Sequence, residues 1–582
     1  MNALQKIERI LSRPVAKPYR SKHIGNGEPY LNADGNVDFY PGDVENPLNW
    51  SKARRWYLTM VSVLLVCNAT FASSSPSGSL GGPNGIAVEF GVSAEVAGLV
   101  VTLFLLGYCF GPLFWAPLSE FYGRRWISYI SFTGYIAFNF LCAWAPNFAA
   151  LLIGRFLTGT FASAPLSNAP GVMVDIWPAL ERGNAMALFS MMTFVGPAIG
   201  PVISGFLELK KNWHWSFYVL IWLGAATALL LLTIPETYPP QVLLNKAKRI
   251  RAKKIPGFEN VKAPIETSGK TLTSIFKVAL SRPWIILFDT ISLLIAIYVA
   301  FVYALVYMLF TIYPIVFQQQ RGWNAGVGEL PLISVAVGAM IGGAVIFKNT
   351  AIDRNKIKAG HVCVPEDRLI LGMIGGVMFP ICLFWFSWTG EYNSVPWIVI
   401  CIAGTLLSTS IQLIFVAFIN YLTDTYLIYA ASAMAANTVA RSAAGAAAPL
   451  FTQKMFDALG VGGGGSLIGG IAVLLAPIPF VFYNYGAPIR KRSKFAPTPD
   501  KKGPQEEREA EEGEDLDRTA GRSASTRGSS TVASSIHRGV RNADVKSEGK
   551  NKIRLSTEDE EVRRPHGDES ERDMEKGIFA PV

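Results

Sequence analysis

Charge is what this 582-residue chain has least of: Asp, Glu, Lys and Arg make up only 16% of it, against 50% hydrophobic residues. A mean hydropathy of +0.30 at this length excludes a water-soluble globular protein and implies a polytopic membrane protein, whose lipid-facing side chains need no charge. Histidine is nearly missing too. Five residues, His23, His214, His361, His537 and His566, are scattered between tails and loops. With no HExxH motif and no glycine-rich phosphate cradle, neither a metal nor ATP is expected as a cofactor, and no catalytic constellation for an enzyme is visible. Of six cysteines, five fall in apolar runs and only Cys363 lies in a loop, so neither a disulfide framework nor a CxxC site is available. The N-terminus, MNALQKIERILSRP, lacks the apolar core of a cleavable signal peptide, which leaves targeting to the first span. The net charge of +10 resides in loops and a polar tail; it reads as topology, without a nucleic-acid partner.

What the chain has is apolar runs long enough to cross a bilayer. Six occur at 57–75, 95–117, 126–145, 149–172, 185–207 and 215–235, and six more at 284–310, 328–347, 369–388, 396–421, 430–452 and 466–485. Between the sets lies a stretch dominated by Lys246, Lys248, Arg249, Arg251, Lys253 and Lys254. The expected organisation is therefore a polar N-terminal segment (1–55), a first six-helix half (56–235), a basic loop (236–282), a second six-helix half (283–486) and a disordered tail (487–582). Ser73–Gly85, SSSPSGSLGGPNG, is expected to form a loop outside the lipid. Bases concentrate in the loops on one side, which predicts both termini in the cytoplasm.

Several stretches carry more than hydropathy. In Gly107–Arg125, GYCFGPLFWAPLSEFYGRR, Gly107 and Gly111 share a helical face suited to close helix packing, and Glu120, Gly123, Arg124 and Arg125 occupy the turn that follows. Leu151–Ser163 places Arg155 one turn inside a span, where an arginine costs roughly 2.5–3.5 kcal/mol on insertion scales and needs a partner. Asp175 ends the same helix. Phe194–Phe206, FVGPAIGPVISGF, sets Gly196-Pro197 one turn before Gly200-Pro201, with Gly205 beyond. Two prolines within a span free backbone carbonyls, which neighbours must satisfy. The second half offers Asp289 early in its first span, Arg441 within NTVARSAAG, and aromatic residues including Phe301, Tyr303, Tyr307, Phe415 and Phe418.

These motifs resemble the major facilitator superfamily, in particular its fungal drug:proton antiporter branch. PLSEFYGRR resembles the loop between helices 2 and 3 of that branch, Arg155 with Gly159 its helix-4 motif, and the Gly-Pro pairs its helix-5 antiporter signature. ENPLNW before the first span, WHWSFYVLIW…PETY, Tyr421–Phe451 and FYNYGAPIRKRSKFA also fit, so the resemblance covers roughly residues 43–496. Departures are Pro201 where the wider superfamily has Gly, Thr158 where Gln is common, Thr290 in place of a Pro after Asp289, and Thr311 where relatives often hold Glu.

The resemblance implies an all-α membrane protein of twelve transmembrane helices in two six-helix halves. It implies proton-coupled efflux of amphipathic small molecules, driven by a proton gradient, from a monomer in the fungal plasma or vacuolar membrane. Gly111, Glu120, Gly123, Arg124, Arg125 and Asp175 would then form a gate, Arg155 and Asp289 would couple protons, and Gly196, Pro197, Gly200, Pro201 and Gly205 would form the antiporter helix. Tyr303, Tyr307 and Arg441 would line the substrate cavity. With few acids in the spans and many aromatic rings, the expected substrate is flat and neutral or weakly acidic. A polyamine or nutrient carrier of the same superfamily and a non-transporting receptor remain the alternatives.

Overall fold

The structure, a computed structural model, describes residues 30–32, 35–178, 181–254, 258–269, 271–359 and 364–496. The extreme N-terminus, Cys363 and the polar tail after Ala496 lie outside these. Six helices come first: α1 (Lys52–Ser74), α2 (Leu99–Tyr122), α3 (Arg124–Ala143), α4 (Phe148–Ile176), α5 (Arg182–Lys210) and α6 (His214–Leu231). After a connector come α7 (Thr290–Pro314), α8 (Ile333–Lys358), α9 (Leu369–Glu391) and α10 (Trp397–Tyr426). The long helix Ala430–Leu475 contains two crossings, because Gly460 (φ 71°, ψ 174°) breaks it. Residues 430–459 are α11, and residues 461–475 with Ile478–Arg492 are α12. Before the break, the α2 residues Thr102 and Cys109 meet Ala446 and Val439 in turn, so α11 runs antiparallel to α2. After it, Gly462, Gly469 and Pro479 meet Trp388, Phe384 and Gly376 in turn, so α12 retraces α9. At its end Arg490 pairs with Glu366, just before α9 begins. Among the described residues, twelve helices thus cross in two sets of six.

The bundle has a basic face, carrying Arg124, Arg125 and the connector, and an opposite face. α5 has 29 residues, about 44 Å at 1.5 Å per residue, so its ends overhang a hydrocarbon core of about 30 Å. Trp222, Ile381 and Leu474 are strongly exposed on the bundle's flank, as side chains that meet lipid should be.

Small residues set which helices touch. A Cβ on Gly107 would stand 2.5 Å from Phe156 O and Thr160 N of α4, and Gly159 of α4 lies directly on Phe104 O, so α2 and α4 meet backbone to backbone. Gly196 and Gly200 bring α5 equally close to Thr70 and Ser74 of α1 and to Ser75 just after it. The halves join where α5 runs along α8 (Gly183 at Thr350, Met191 at Gly343) and the short helix Ala325–Glu329 before it (Gly205 at Ala325), and where α2 runs along α11.

Three expectations change. Ser73–Gly85 is not a loop throughout: Ser75–Ser79 continues α1 as a 3₁₀ turn, and Ser73, Ser74, Ser75 and Ser79 are buried. The hydroxyls of Ser73, Ser74 and Ser79 return hydrogen bonds to nearby carbonyls, as Ser73 Oγ does to Thr70 O at 2.6 Å, which lets a serine-rich segment stay inside the protein; Ser75 Oγ is buried without a partner. The run 284–310 is two helices, Leu272–Leu287 and α7, separated at Phe288-Asp289, where Asp289 is extended (φ −67°, ψ 136°). The connector is also more than a basic loop. Its helix Pro239–Ala252 buries Leu243 and Ala247 against Val37, Val261 and Ala263 in a small separate core. There Arg251 grips Glu266 through two hydrogen bonds of 2.9 and 2.8 Å, which holds that carboxyl below its usual range.

Candidate functional site: a gate, a buried arginine and an aromatic midplane

At the basic face, Gly123 stands between α2 and α3 with φ 93°, a backbone region that disfavours any side chain, and a Cβ there would run into the Glu236 carboxylate. Glu236, just after α6, caps α3. Its Oε1 accepts from the backbone N–H of Arg124 (2.9 Å), Thr237 (3.0 Å) and Tyr238 (2.9 Å), and its Oε2 from that of Arg125 (3.2 Å). A carboxylate at a helix N-terminus satisfies orphan donors and the helix dipole together. The Arg124 side chain donates to Asp175 at the end of α4 (3.3 Å) and to Ser119 Oγ (2.7 Å), whereas Arg125 turns to Tyr129 Oη (2.9 Å). Glu120, expected in the gate, is exposed and makes no hydrogen bond or ion pair among the described residues. The acid at this turn is Glu236, visible in PETY but distant in sequence.

The second half repeats the arrangement. Arg368, immediately before α9, pairs with Asp424 near the end of α10 (2.9 Å) and with Asp353 of α8 (3.1 Å), as Arg124 at the start of α3 pairs with Asp175 at the end of α4. Replacing Glu236 with Ala strands four backbone donors, at about 1–3 kcal/mol for each one left buried, and is expected to lower the thermal midpoint of the purified protein by several degrees. Glu120→Gln should leave it unchanged; equal losses in the two variants would return Glu120 to the gate.

Arg155 is fully buried. No acid faces it. Its Nε donates to Val100 O (2.9 Å), its Nη2 donates to Ala72 O (3.0 Å) and Ser73 O (3.5 Å), and the guanidinium lies 4.2 Å over Phe104. Pro76 has no N–H to offer Ala72 O, four residues back, so the arginine supplies the bond that the proline omits. Ser73 is also held from the other half: Tyr307 Oη donates to its Oγ at 2.9 Å.

The α5 prolines are treated alike. Pro201 leaves Pro197 O without its helical donor, and Ser74 Oγ donates to it at 2.7 Å. Beyond them Gly205 admits the second half: a Cβ there would lie 2.7 Å from Ala325 O and 2.9 Å from Glu329 Cγ. Glu329, not singled out from the sequence although it sits in the apolar run 328–347, is buried, accepts a hydrogen bond from Gln318 Nε2 (2.9 Å) and leaves Oε2 unbonded. Glu208, also fully buried on α5, accepts from Asn84 N at 2.8 Å.

At the midplane, Tyr303 of α7 and Phe415 of α10 face Arg441 with Tyr108 of α2 close by, Tyr307 packs on Tyr303 at 5.3 Å, and Phe415 meets Phe194 of α5 edge-on at 5.3 Å. Two other rings expected here face inward within their own half, Phe301 on Phe379 and Phe418 on Tyr298. Asp289 is not inside a span. It precedes the first turn of α7 and accepts hydrogen bonds from Tyr426 and Ser493, so its carboxylate is engaged at the basic face, far along α7 from Tyr303 and Tyr307.

Residues 52–449 match the family model of the Major Facilitator Superfamily. The MFS-type efflux pump MFS2 of Trichophyton rubrum is 40% identical over 474 residues, 81% of this chain and 78% of that one. The major facilitator superfamily multidrug transporter mdrA of Aspergillus fumigatus is 40% identical over 496 residues, 83% and 81% of the two chains. Among solved structures, the xylose transporter XylE from E. coli in a partially occluded inward open conformation superposes with a TM-score of 0.52 at 17% identity, over 74% of this chain and 97% of that one, a likeness of fold.

Proposed function

The chain belongs to the major facilitator superfamily, and we propose that it exports amphipathic small molecules, antifungal drugs or fungal secondary metabolites, in exchange for protons. The observation that carries this reading is 40% identity over four-fifths of the chain to proteins named as an efflux pump and a multidrug transporter. It works as a transporter without chemistry on its cargo, as a monomer in the plasma membrane with both termini cytoplasmic, the basic loops lying on the cytoplasmic side.

The contacts between halves support a mechanism. From the midplane to the opposite face, Tyr307 meets Ser73, Lys454 meets Glu95 at 3.1 Å, and Gly205 admits Ala325 and Glu329. At the basic face the Arg124–Asp175 and Arg368–Asp424 pairs each lie within one half. These contacts close the face away from the cytoplasm, the halves also touch at the basic face through Gly183 and Thr350, and they rock about the midplane to expose cargo to each side in turn. Arg155 reports on this closure through Ser73, and Glu329, buried at the seam, exchanges the proton when the seam opens.

Expression in an efflux-deficient yeast, challenged with azoles, cycloheximide-like inhibitors and spermine, tests the reading. Raised tolerance to the aromatic or amphipathic compounds is expected, with spermine tolerance unchanged. A rise for spermine alone would make it a polyamine carrier.

A further inference from the structure

Among the described residues three arginines on the spanning helices are buried: Arg55 is held by Trp50 O and Glu181, and Arg155 by carbonyls that take its Nε and Nη2, whereas Arg441 has neither an acid nor a carbonyl. Arg441, midway along α11, is 8% exposed, and its Nε and Nη1 are buried without a hydrogen-bond partner. What faces it is aromatic. The guanidinium carbon lies 5.0 Å from the Tyr303 ring centroid and 5.2 Å from that of Phe415, and Tyr108 and Cys109 of α2 are within electrostatic reach. One turn earlier on α11, Asn437 is fully buried with both amide atoms unbonded.

No acid among the described residues answers this charge. Asp175, Asp353 and Asp424 are paired with arginines at the basic face, Glu366 with Arg490, and Asp289 is held by Tyr426 and Ser493. Glu208 and Glu329 are engaged near the far end of the bundle, by Asn84 and Gln318. Ring faces lower the cost of a desolvated guanidinium but leave its N–H donors unfilled. The missing element is an acceptor with negative charge, and the rings beside it fit a flat apolar body.

Resting on the export reading, we propose that the transported substrate is an aromatic monoanion whose carboxylate docks on Arg441 while its ring lies among Tyr303, Phe415 and Tyr108. A guanidinium offers paired donors matched to a carboxylate, a geometry that lysine lacks. The Asn437 amide, next along the same helical face, is placed to serve a second polar group of the ligand.

Binding to purified protein in nanodiscs decides this without any transport step. The probes are 2-naphthoate, its neutral amide and 2-naphthylmethylamine, read by quenching of tryptophan fluorescence. Wild type is expected to bind the acid about tenfold or more tighter than the amide, the scale of a charge-assisted hydrogen bond, and the amine most weakly. Arg441→Gln should bring the acid down to the level of the amide and leave the amide unchanged, with Arg441→Lys between. Equal affinity for the three probes in wild type, a preference for the amine, or a variant that weakens acid and amide alike would overturn the proposal. The wild-type ranking stands even if Arg441→Gln does not fold. Absence of export in the yeast assay, with acid selectivity retained here, would reject the export reading and keep the site.

Discussion

Arg155→Ala is expected to cut pH-gradient-driven transport about tenfold or more, equivalent to about 1.4 kcal/mol or more, while much of the protein still reaches the membrane. The reason is positional. Arg155 ties α4 to α2 through Val100 O and to α1 through Ala72 O and Ser73 O, at the point where α1 tightens into its 3₁₀ turn. Truncation strands Ala72 O, at about 1–3 kcal/mol, and loosens Ser73, whose hydroxyl is the contact that Tyr307 makes across the halves. Arg155→Lys restores one donor group but not the fork, so an intermediate rate is expected. Proteoliposome flux measured beside thermal unfolding separates coupling from stability. Flux at the wild-type rate in Arg155→Ala would remove this residue from the coupling route.

Gly159→Val is expected to eliminate most folded protein. The glycine faces Phe104 O, a backbone atom that no rotamer change can move, and Gly107 on the other helix faces Phe156 O and Thr160 N. A side chain at either position must push α2 from α4 along the whole contact, which misplaces Arg155 as well. Gly470→Ala on α12, where a Cβ meets nothing within 4 Å, is the control and should be silent. The readout is the monodisperse peak in size-exclusion chromatography after detergent extraction. A normal peak for Gly159→Val would show that the α2–α4 seam tolerates separation.

How much of this was legible depended on sequence distance. The Gly107/Gly111 spacing declares a close contact because both residues lie on one helix, and the prolines of α5 announce freed carbonyls without their partners. The partner was the unreadable part. Ser74 and Arg155 are the donors that Pro201 and Pro76 make necessary, but nothing local ties them to those prolines, and so the serine-rich stretch resembled a loop. Glu120 drew attention by adjacency to Gly-Arg-Arg, whereas the acid that caps α3 is Glu236, which arrives at that turn only after three more helices have folded. Arg368 was hidden similarly, because residues after α8 separate it from Asp353 and disguise the repeat. Asp289 looked intramembrane because hydropathy does not report the helix break before α7. Glu329 lay inside a strongly apolar run, which conceals a single acid.

The central claim is exchange of an aromatic small molecule for protons, and liposomes containing the purified protein test it most directly. A radiolabelled compound, chosen from those to which the protein confers tolerance in yeast, is supplied outside vesicles with either an acidic or an alkaline lumen. Accumulation against its own gradient in the acidic-lumen vesicles, abolished by a protonophore, is the predicted result. Accumulation in the alkaline-lumen vesicles, or equilibration indifferent to the pH gradient, would contradict it.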